Sequence, residues 1–302
     1  MRPDAEGNFG EKRAVVLGCG YVGGAVARAA LARGLRVAAL TRNPATAEAL
    51  RAAGATVVVA DLAEYDWHAR IEGGADYVLD AVSAAGPTPE GYRRSYVEGM
   101  RSIAAWAQAR GPAGTLVYTS STSVYPQDGG ATVDETAPTD DGNERTALLR
   151  EAERVLRESA GVAERWFILR LAGIYGPGRH YLLEQVRAGE VAGVGAHRLN
   201  LAYRDDIAAA VWAAWTAPRG VGGEIFNVAD DRPTPKAEVA AWLAQRLGLP
   251  APRFTGRPAG GRAAVTPDRA IANGKLKTML GWRPGCADFR AGYEKVLAVE
   301  AE

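Results

Sequence analysis

"RAVVLGCGYVGGAVARAALARG" (residues 13–34) decides the fold of this chain. Ala14 to Leu17 form a short apolar run without alternation, the pattern of a strand buried on both faces. Gly18, Gly20 and Gly23 follow in G-x-G-x-x-G spacing, and apolar residues then recur at helical intervals up to Gly34. The spacing carries meaning because a strand runs into it and a helix leaves it. Gly18 allows a tight turn, Gly20 lets a pyrophosphate approach the backbone, and Gly23 lets the helix pack closely on the sheet. The N–H groups that open the helix, at Tyr21 and Val22, are where that pyrophosphate would sit.

The alternation continues outward. "LRVAAL" (35–40), "ATVVVADL" (55–62), "DYVLDAVS" (76–83), "TLVYTSS" (115–121) and "RWFILRL" (165–171) read as strands, with helices over 43–54 and 92–111 between them. Strands separated by helices of this length predict an α/β fold, a Rossmann-like doubly wound parallel sheet covered on both faces. Residues 13–172 form this dinucleotide-binding core. Residues 173–302 form mainly a smaller C-terminal α/β substrate lobe, with some elements returning to the main sheet. Helices are expected over 204–215 and 235–248, where Trp212, Trp215 and Trp242 serve packing, and a strand over 224–229. "TSVYPQDGGATVDETAPTDDGN" (122–143) reads as a long polar loop, a length that is usually functional or disordered. "LPAPRFTGRPAGG" (249–261) reads as a connector.

Composition excludes several classes of function. A net charge of +1 over 302 residues, with no dense block of Lys or Arg, offers no electrostatic footprint for nucleic acid. No apolar run is long enough to span a membrane. The lead-in "MRPDAEGNFGEKR" lacks the apolar centre of a signal peptide. Cys19 and Cys286 suggest no disulfide framework, and three isolated histidines show no metal-binding spacing. These readings point to a cytoplasmic protein whose partner is a small-molecule substrate, without nucleic acid, membrane or metal.

The residues after the second strand bear on the cofactor. An acid there grips a ribose 2′-hydroxyl, whereas a basic residue accepts a 2′-phosphate. This chain has Thr41 and Arg42 and no carboxylate, and a guanidinium fork suits a phosphate. NADP(H) is the favoured cofactor. NAD is the alternative, with Arg42 then a surface residue or stacked on adenine. Asp61, after the third strand, either accepts from the adenine amine or caps the next segment.

With "YTSSTSVYP" (118–126), "LRLAGIYGPG" (169–178), "LAYRDDIAAAV" (201–211), "FNVADDRPTPKAEV" (226–239) and "NGKLKTMLGWRP" (273–284) in order, the chain resembles the extended short-chain dehydrogenase/reductase family. This group holds the NAD-dependent sugar epimerases and dehydratases. The resemblance implies that Ser121 hydrogen-bonds the reacting group and that Asp61 and Leu62 flank the adenine. It puts Ala81 and Val82 beside the cofactor, with Gly173 and Ile174 near the nicotinamide. It also implies a homodimer joined through the helices that hold "SIAAWAQA" and "REAERVL".

The family's Tyr-x-x-x-Lys belongs on the helix of "GNERTALLREAERVL" (142–156), where Lys one turn on favours the phenolate of Tyr for proton transfer. This segment contains neither residue type. Arg145 stands at the Tyr position and Leu149 at the Lys position, as in atypical members of the family. Arg145 stays charged, so it could bind or polarise a substrate but not trade a proton. Tyr125 and Tyr175 are the replacement candidates for proton transfer, each with packing as the competing role, and Tyr92 and Tyr96 lie near the fourth strand's exit. Arg179 and His180 are candidates for binding the substrate. Three functions follow: an NADP(H)-dependent oxidoreductase for a small carbonyl, imine or sugar-like substrate, a nucleotide-sugar epimerase or dehydratase, or a non-catalytic NADP(H) sensor or scaffold.

Overall fold

A computed structural model of the chain describes residues 9–139, 142–258 and 266–301. Parts of three segments read from the sequence lie outside the described residues: 1–8 of the lead-in, 140–141 of the polar loop and 259–261 of the connector. The chain divides into two compact units. The first takes residues up to 124, 140–170 and 208–226. The second takes 125–139, 171–207 and 227 onward.

The first unit is built on β1 (Arg13–Leu17), α1 (Tyr21–Ala32), β2 (Arg36–Thr41), α2 (Pro44–Ala52), β3 (Thr56–Val59) and β4 (Tyr77–Asp80). A helical stretch follows, made of α3 (Pro89–Tyr92), a π-helical segment Arg93–Glu98 and α4 (Gly99–Arg110). Then come β5 (Ala113–Ser121), a short β6 (Ala131–Val133) that belongs to the second unit, α5 (Glu144–Glu158) and β7 (Ala163–Leu171). The sheet runs in the order Glu224–Val228, β7, β5, β4, β1, β2, β3. The ladders joining β3, β2, β1, β4 and β5 are parallel. All four residues of β4 are buried, as a central parallel strand requires. The order reverses between β1 and β4. That is the switch point where open α/β sheets receive ligands beyond the strands' carboxyl ends.

Local chemistry sets the helix boundaries. Asn43 caps α2, its side chain accepting from Ala45 N and Thr46 N, with Pro44 at the first helical position. Asn143 opens α5 with a reciprocal box: its side chain accepts from Arg145 N and Thr146 N, while the Thr146 hydroxyl accepts from Asn143 N. One face of α5 is buried at Leu148, Leu149, Ala152 and Leu156. On that face Glu153, 2% exposed, takes Arg170 of β7 in a two-pronged pair at 3.0 and 2.7 Å. The Ser120 hydroxyl of β5 adds a third bond at 2.7 Å. One carboxylate therefore ties α5 to two neighbouring strands.

The second unit packs around Tyr175, Leu183, Val239, Phe289 and Tyr293. It contains α6 (Tyr181–Arg187) and the helix Lys236–Leu247, and Gly173–Tyr175 pairs in parallel with Leu201–Tyr203. The polar stretch 122–143 is not a plain loop. Thr122–Val124 form a 3₁₀ turn, and β6 pairs in parallel with Arg269–Ile271. Three residues are too few for a strand period to show in sequence. The closing helix Phe289–Glu300 also escaped the sequence reading. Asp288 caps it by accepting from Arg290 N and Ala291 N. Among the described residues, no helix is long and apolar enough to cross a membrane.

Removing one partner of a buried, hydrogen-bonded ion pair strands the other charge. Glu153→Ala is therefore expected to cost about 3–5 kcal/mol in urea unfolding. Ser120→Ala, which leaves the pair intact, is expected to cost about 1 kcal/mol.

Candidate functional site

A cleft of about 410 Å³ opens at the switch point of the first unit. The β1–α1 turn supplies Gly18, Cys19 and Gly20, and the end of β2 supplies Leu40, Thr41, Arg42 and Asn43. Asp61 and Leu62 follow β3, and Ala81, Val82 and Ser83 follow β4, with Ser95 from the π-helical segment. Gly18 has φ +87°, and a Cβ there would lie 2.6 Å from Val82 N. A Cβ on Gly23 would lie 2.2 Å from Gly18 O, so α1 could not pack against the turn. A Cβ on Gly20, in contrast, would meet nothing within 4 Å. That open space faces the start of a 12-residue helix whose N-cap carries no side-chain bond and whose first turn, with Tyr21, Val22 and Gly23, holds no acid. A pyrophosphate fits such ground: space above the backbone, N–H groups, and the positive end of the helix dipole. A nicotinamide dinucleotide held there would supply or accept hydride.

At the far end of β2, the Thr41 hydroxyl accepts from Asn43 N at 3.2 Å. The Arg42 side chain is 47% exposed and pairs with Asp61 at 3.7 Å. Asp61 also accepts from Ala63 N at 3.0 Å and from Arg94 Nε at 3.1 Å, and Arg94 in turn pairs with Glu64. Asp61 thus caps its own turn and gathers two guanidiniums beside the cleft. Arg94 was not singled out in the sequence. Its place after a helix-opening Tyr gave no sign that it would reach back across 33 residues. Cys19 is a packing residue, its Sγ donating to Val16 O at 3.4 Å and its thiol pushed up to about 12 by burial.

Beneath the cleft lies a group that sequence reasoning missed. Asp80, the last residue of β4, is fully buried. Its Oδ1 accepts from Val82 N at 3.3 Å, while Oδ2 has no hydrogen-bond partner. Burial pushes its carboxyl up to about 7, against the opposing pull of the Val82 N–H. Burial also raises the phenols beside it. Tyr96 rises to about 12, with Tyr92 and Asp80 adding to the effect. Tyr118, opposite Asp80 in the β4–β5 ladder, is likewise held well above its ordinary value by burial. Ser121, three residues beyond Tyr118, is part-exposed, its Oγ accepting from Ser123 N at 3.1 Å.

On α5, Arg145 stacks its guanidinium 5.5 Å from the centre of the Tyr92 ring and donates to the Pro87 carbonyl. It therefore pins the loop that follows β4. Leu149 is buried in packing.

The remaining candidates fall in the second unit. Tyr125 is 1% exposed and donates its hydroxyl to Asn227 Oδ1 at 2.9 Å. Tyr175 is 3% exposed, its ring against Tyr203 and Tyr293, its hydroxyl so near Gly292 that a Cβ there would collide with it. Burial raises the Tyr175 phenol far above its ordinary value. Both rings are packed inward within the second unit. Gly173 and Ile174 are strand residues paired with Leu201 and Ala202. Arg179 closes a turn with Gly176 through two backbone bonds of 3.0 Å. His180, expected to bind substrate, lies at the N-terminus of α6 between Glu184 at 3.2 Å and Glu300 at 3.0 Å. These three side chains could group around a cation, but Arg187 already pairs with both carboxylates.

Residues 14–229 match the model of the NAD dependent epimerase/dehydratase family. The chain is 30% identical to a 3-diazoavenalumate denitrifying reductase from Streptomyces sp, covering 93% of this chain and 98% of that protein. It is 29% identical to Protein YeeZ of Escherichia coli strain K12, covering 87% and 93%. Among solved structures, UDP-glucose 4-epimerase from Thermotoga maritima shares the fold with a TM-score of 0.79 at 17% identity, covering 96% of this chain and 100% of that one.

The Asp80 carboxyl yields a pH prediction. An unfolded aspartate titrates near 3.9, and the folded one near 7. Between these values the folded state holds a proton that the unfolded state has released, so stability falls as pH rises through the window. Asp230 of the second unit, pushed up to about 8 by burial, acts in the same direction. Urea midpoints at pH 5 and pH 8 should fall less in Asp80→Asn than in the unaltered protein. Equal falls would remove Asp80 as the source.

Proposed function

The chain belongs to the NAD dependent epimerase/dehydratase family, and we propose that it works as an NADP(H)-dependent reductase of a small carbonyl, imine or sugar-like substrate. One observation carries this reading: α5 brings Arg145 and Leu149, and neither Tyr nor Lys, to its opening turns. An epimerase or dehydratase cycle begins by oxidising an alcohol, which needs a base to remove the hydroxyl proton as hydride leaves. Reduction begins with hydride arriving at an electrophilic carbon, and the proton can follow from a neutral acid. Ser121 would hydrogen-bond the reacting oxygen, and Arg145 would keep the loop after β4 in place. The name of the Streptomyces relative, a reductase, agrees with this direction.

The preference for NADP(H) rests on Arg42, with Arg94 beside it, at the place where an NAD site would set an acid for the ribose. A homodimer through α4 and α5 belongs to the proposal. Sizing chromatography at several concentrations tests it, a monomer throughout counting against it. The second reading is a nucleotide-sugar epimerase or dehydratase, favoured by the family's description.

Incubation with NADPH and a panel of carbonyls and imines, followed at the absorbance of the reduced nicotinamide, should show turnover. Conversion of a nucleotide sugar without net cofactor consumption would instead select the second reading. Tight NADPH binding without any turnover would leave a sensor. Arg42→Glu should weaken NADPH by about 10- to 100-fold, the worth of a charge-assisted hydrogen bond, and leave NADH nearly unchanged. Equal losses would overturn the cofactor assignment.

A further inference from the structure

The cleft's walls leave one feature of the first unit without a purpose: the π-helical segment Arg93–Glu98, set between the α-helical stretches α3 and α4. π turns are rare and gather at functional sites. Here two successive side chains of the segment act on two successive residues of the loop after β4. The buried Ser95 hydroxyl accepts from Ala85 N at 2.9 Å. The Tyr96 ring packs 5.4 Å from that of Tyr92, and the Ala84 N–H draws its phenol down against the opposing pull of burial. Ser95 itself lines the cleft, as do Ala81, Val82 and Ser83 of that same loop. Tyr96 thus follows a cleft-lining residue directly, on a segment that holds the loop after β4.

We propose that Tyr96 is the proton donor of the reduction, acting from the π segment in place of the tyrosine that α5 lacks. The proposal rests on the reductase reading above. A carbonyl carbon that receives hydride from reduced nicotinamide shifts its π-electron pair to oxygen. That oxygen takes the Tyr96 proton, and the phenolate left behind regains a proton from water.

The groups around Tyr96 suit this direction. Tyr92 lies 5.4 Å away, ring centre to ring centre, and carries the Arg145 guanidinium on its face. Asp80 also acts on Tyr96: the charge it gains above about 7 adds to burial in keeping the phenol protonated, and Tyr96 in turn helps to raise Tyr118. A phenol held up to about 12 still protonates an alkoxide, yet at neutral pH it is a poor base toward an alcohol. Reduction should outrun oxidation on this scaffold.

The test joins a binding readout to a kinetic one. With 3-fluorotyrosine placed at position 96, the ¹⁹F resonance of the cofactor-free protein is followed as NADP⁺ is added. A shift that saturates with the binding curve is expected, and an unmoved resonance at saturation overturns the proposal. Tyr96→Phe should lower kcat for carbonyl reduction by about 100- to 10,000-fold while NADPH affinity stays within about twofold. Retained kcat also overturns it. If Tyr96→Phe does not fold, the fluorotyrosine protein keeps the hydroxyl and carries the decision through the resonance and the pH profile of kcat, whose limb should move with the more acidic phenol. Should the unaltered protein reduce nothing in the panel while the resonance still responds, the reductase reading fails and the placement of Tyr96 at the cofactor stands.

Discussion

At the switch point of the sheet, the β1–α1 turn and the exit of β4 approach so closely that a Cβ on Gly18 would lie 2.6 Å from the Val82 nitrogen. The contact is held by ordinary backbone bonds, Ala81 N to Leu17 O at 2.8 Å and Gly18 N to Leu40 O at 3.0 Å. Three strand ends are thereby gathered around one turn. The close packing of α1 at Gly23 and the open ground over Gly20 depend on the same turn. Any side chain at Gly18 would push Val82 away and with it the loop that Ser95 and Arg145 hold. The cleft is a consequence of two missing side chains before it is a consequence of any residue present.

The helix that departs from its family is anchored by equally strict chemistry. Arg145, Leu149 and Glu153 stand four residues apart and share a stripe of α5. At the deep end of the stripe, Glu153 is committed to Arg170 and Ser120. In the middle, Leu149 is buried where the family's lysine would need a polar surrounding. At the upper end, Arg145 turns to Tyr92 and Pro87. A buried ion pair of this kind adds little net stability over apolar packing, but it fixes geometry strongly because neither partner tolerates solitude. The stripe therefore serves position, with α5 holding the loop after β4 rather than performing proton transfer itself.

Much of this was legible in the sequence. The seven strands of the main sheet, the helices α1, α2 and α5, and the cleft residues Gly18, Gly20, Thr41, Arg42, Asp61, Leu62, Ala81 and Val82 follow from apolar runs, glycine spacing and capping residues. These signals are local, so a linear reading finds them. Asp80, Arg94 and Ser95 escaped because their meaning lies in partners that are distant in sequence or in backbone amides that a loop happens to present. Tyr125 and Tyr175 looked available because they sit in turns, yet turn residues with large rings are often packed inward. Asn227, which accepts from the Tyr125 hydroxyl, and Gly292, against which the Tyr175 hydroxyl packs, lie more than a hundred residues away. The π segment left no mark in the apolar periodicity of residues 92–111, since a single wide turn shifts the pattern by less than a residue's scatter.

The raised groups of the first unit bear on the direction of the chemistry. Asp80, Tyr96 and Tyr118 are all moved toward their protonated forms by burial first, and the two phenols are raised further by charged neighbours, Asp80 among them. A fold that wanted a base here would bring a cation within reach of one of these oxygens, whereas Arg145, on the ring of neighbouring Tyr92, is spent on that face and a carbonyl. Protons held this firmly are stored for donation to something more basic than a phenolate. An alkoxide formed by hydride addition meets that condition, whereas a neutral alcohol awaiting oxidation does not. The same burial that costs the fold stability as pH rises is thus what would bias the site toward reduction.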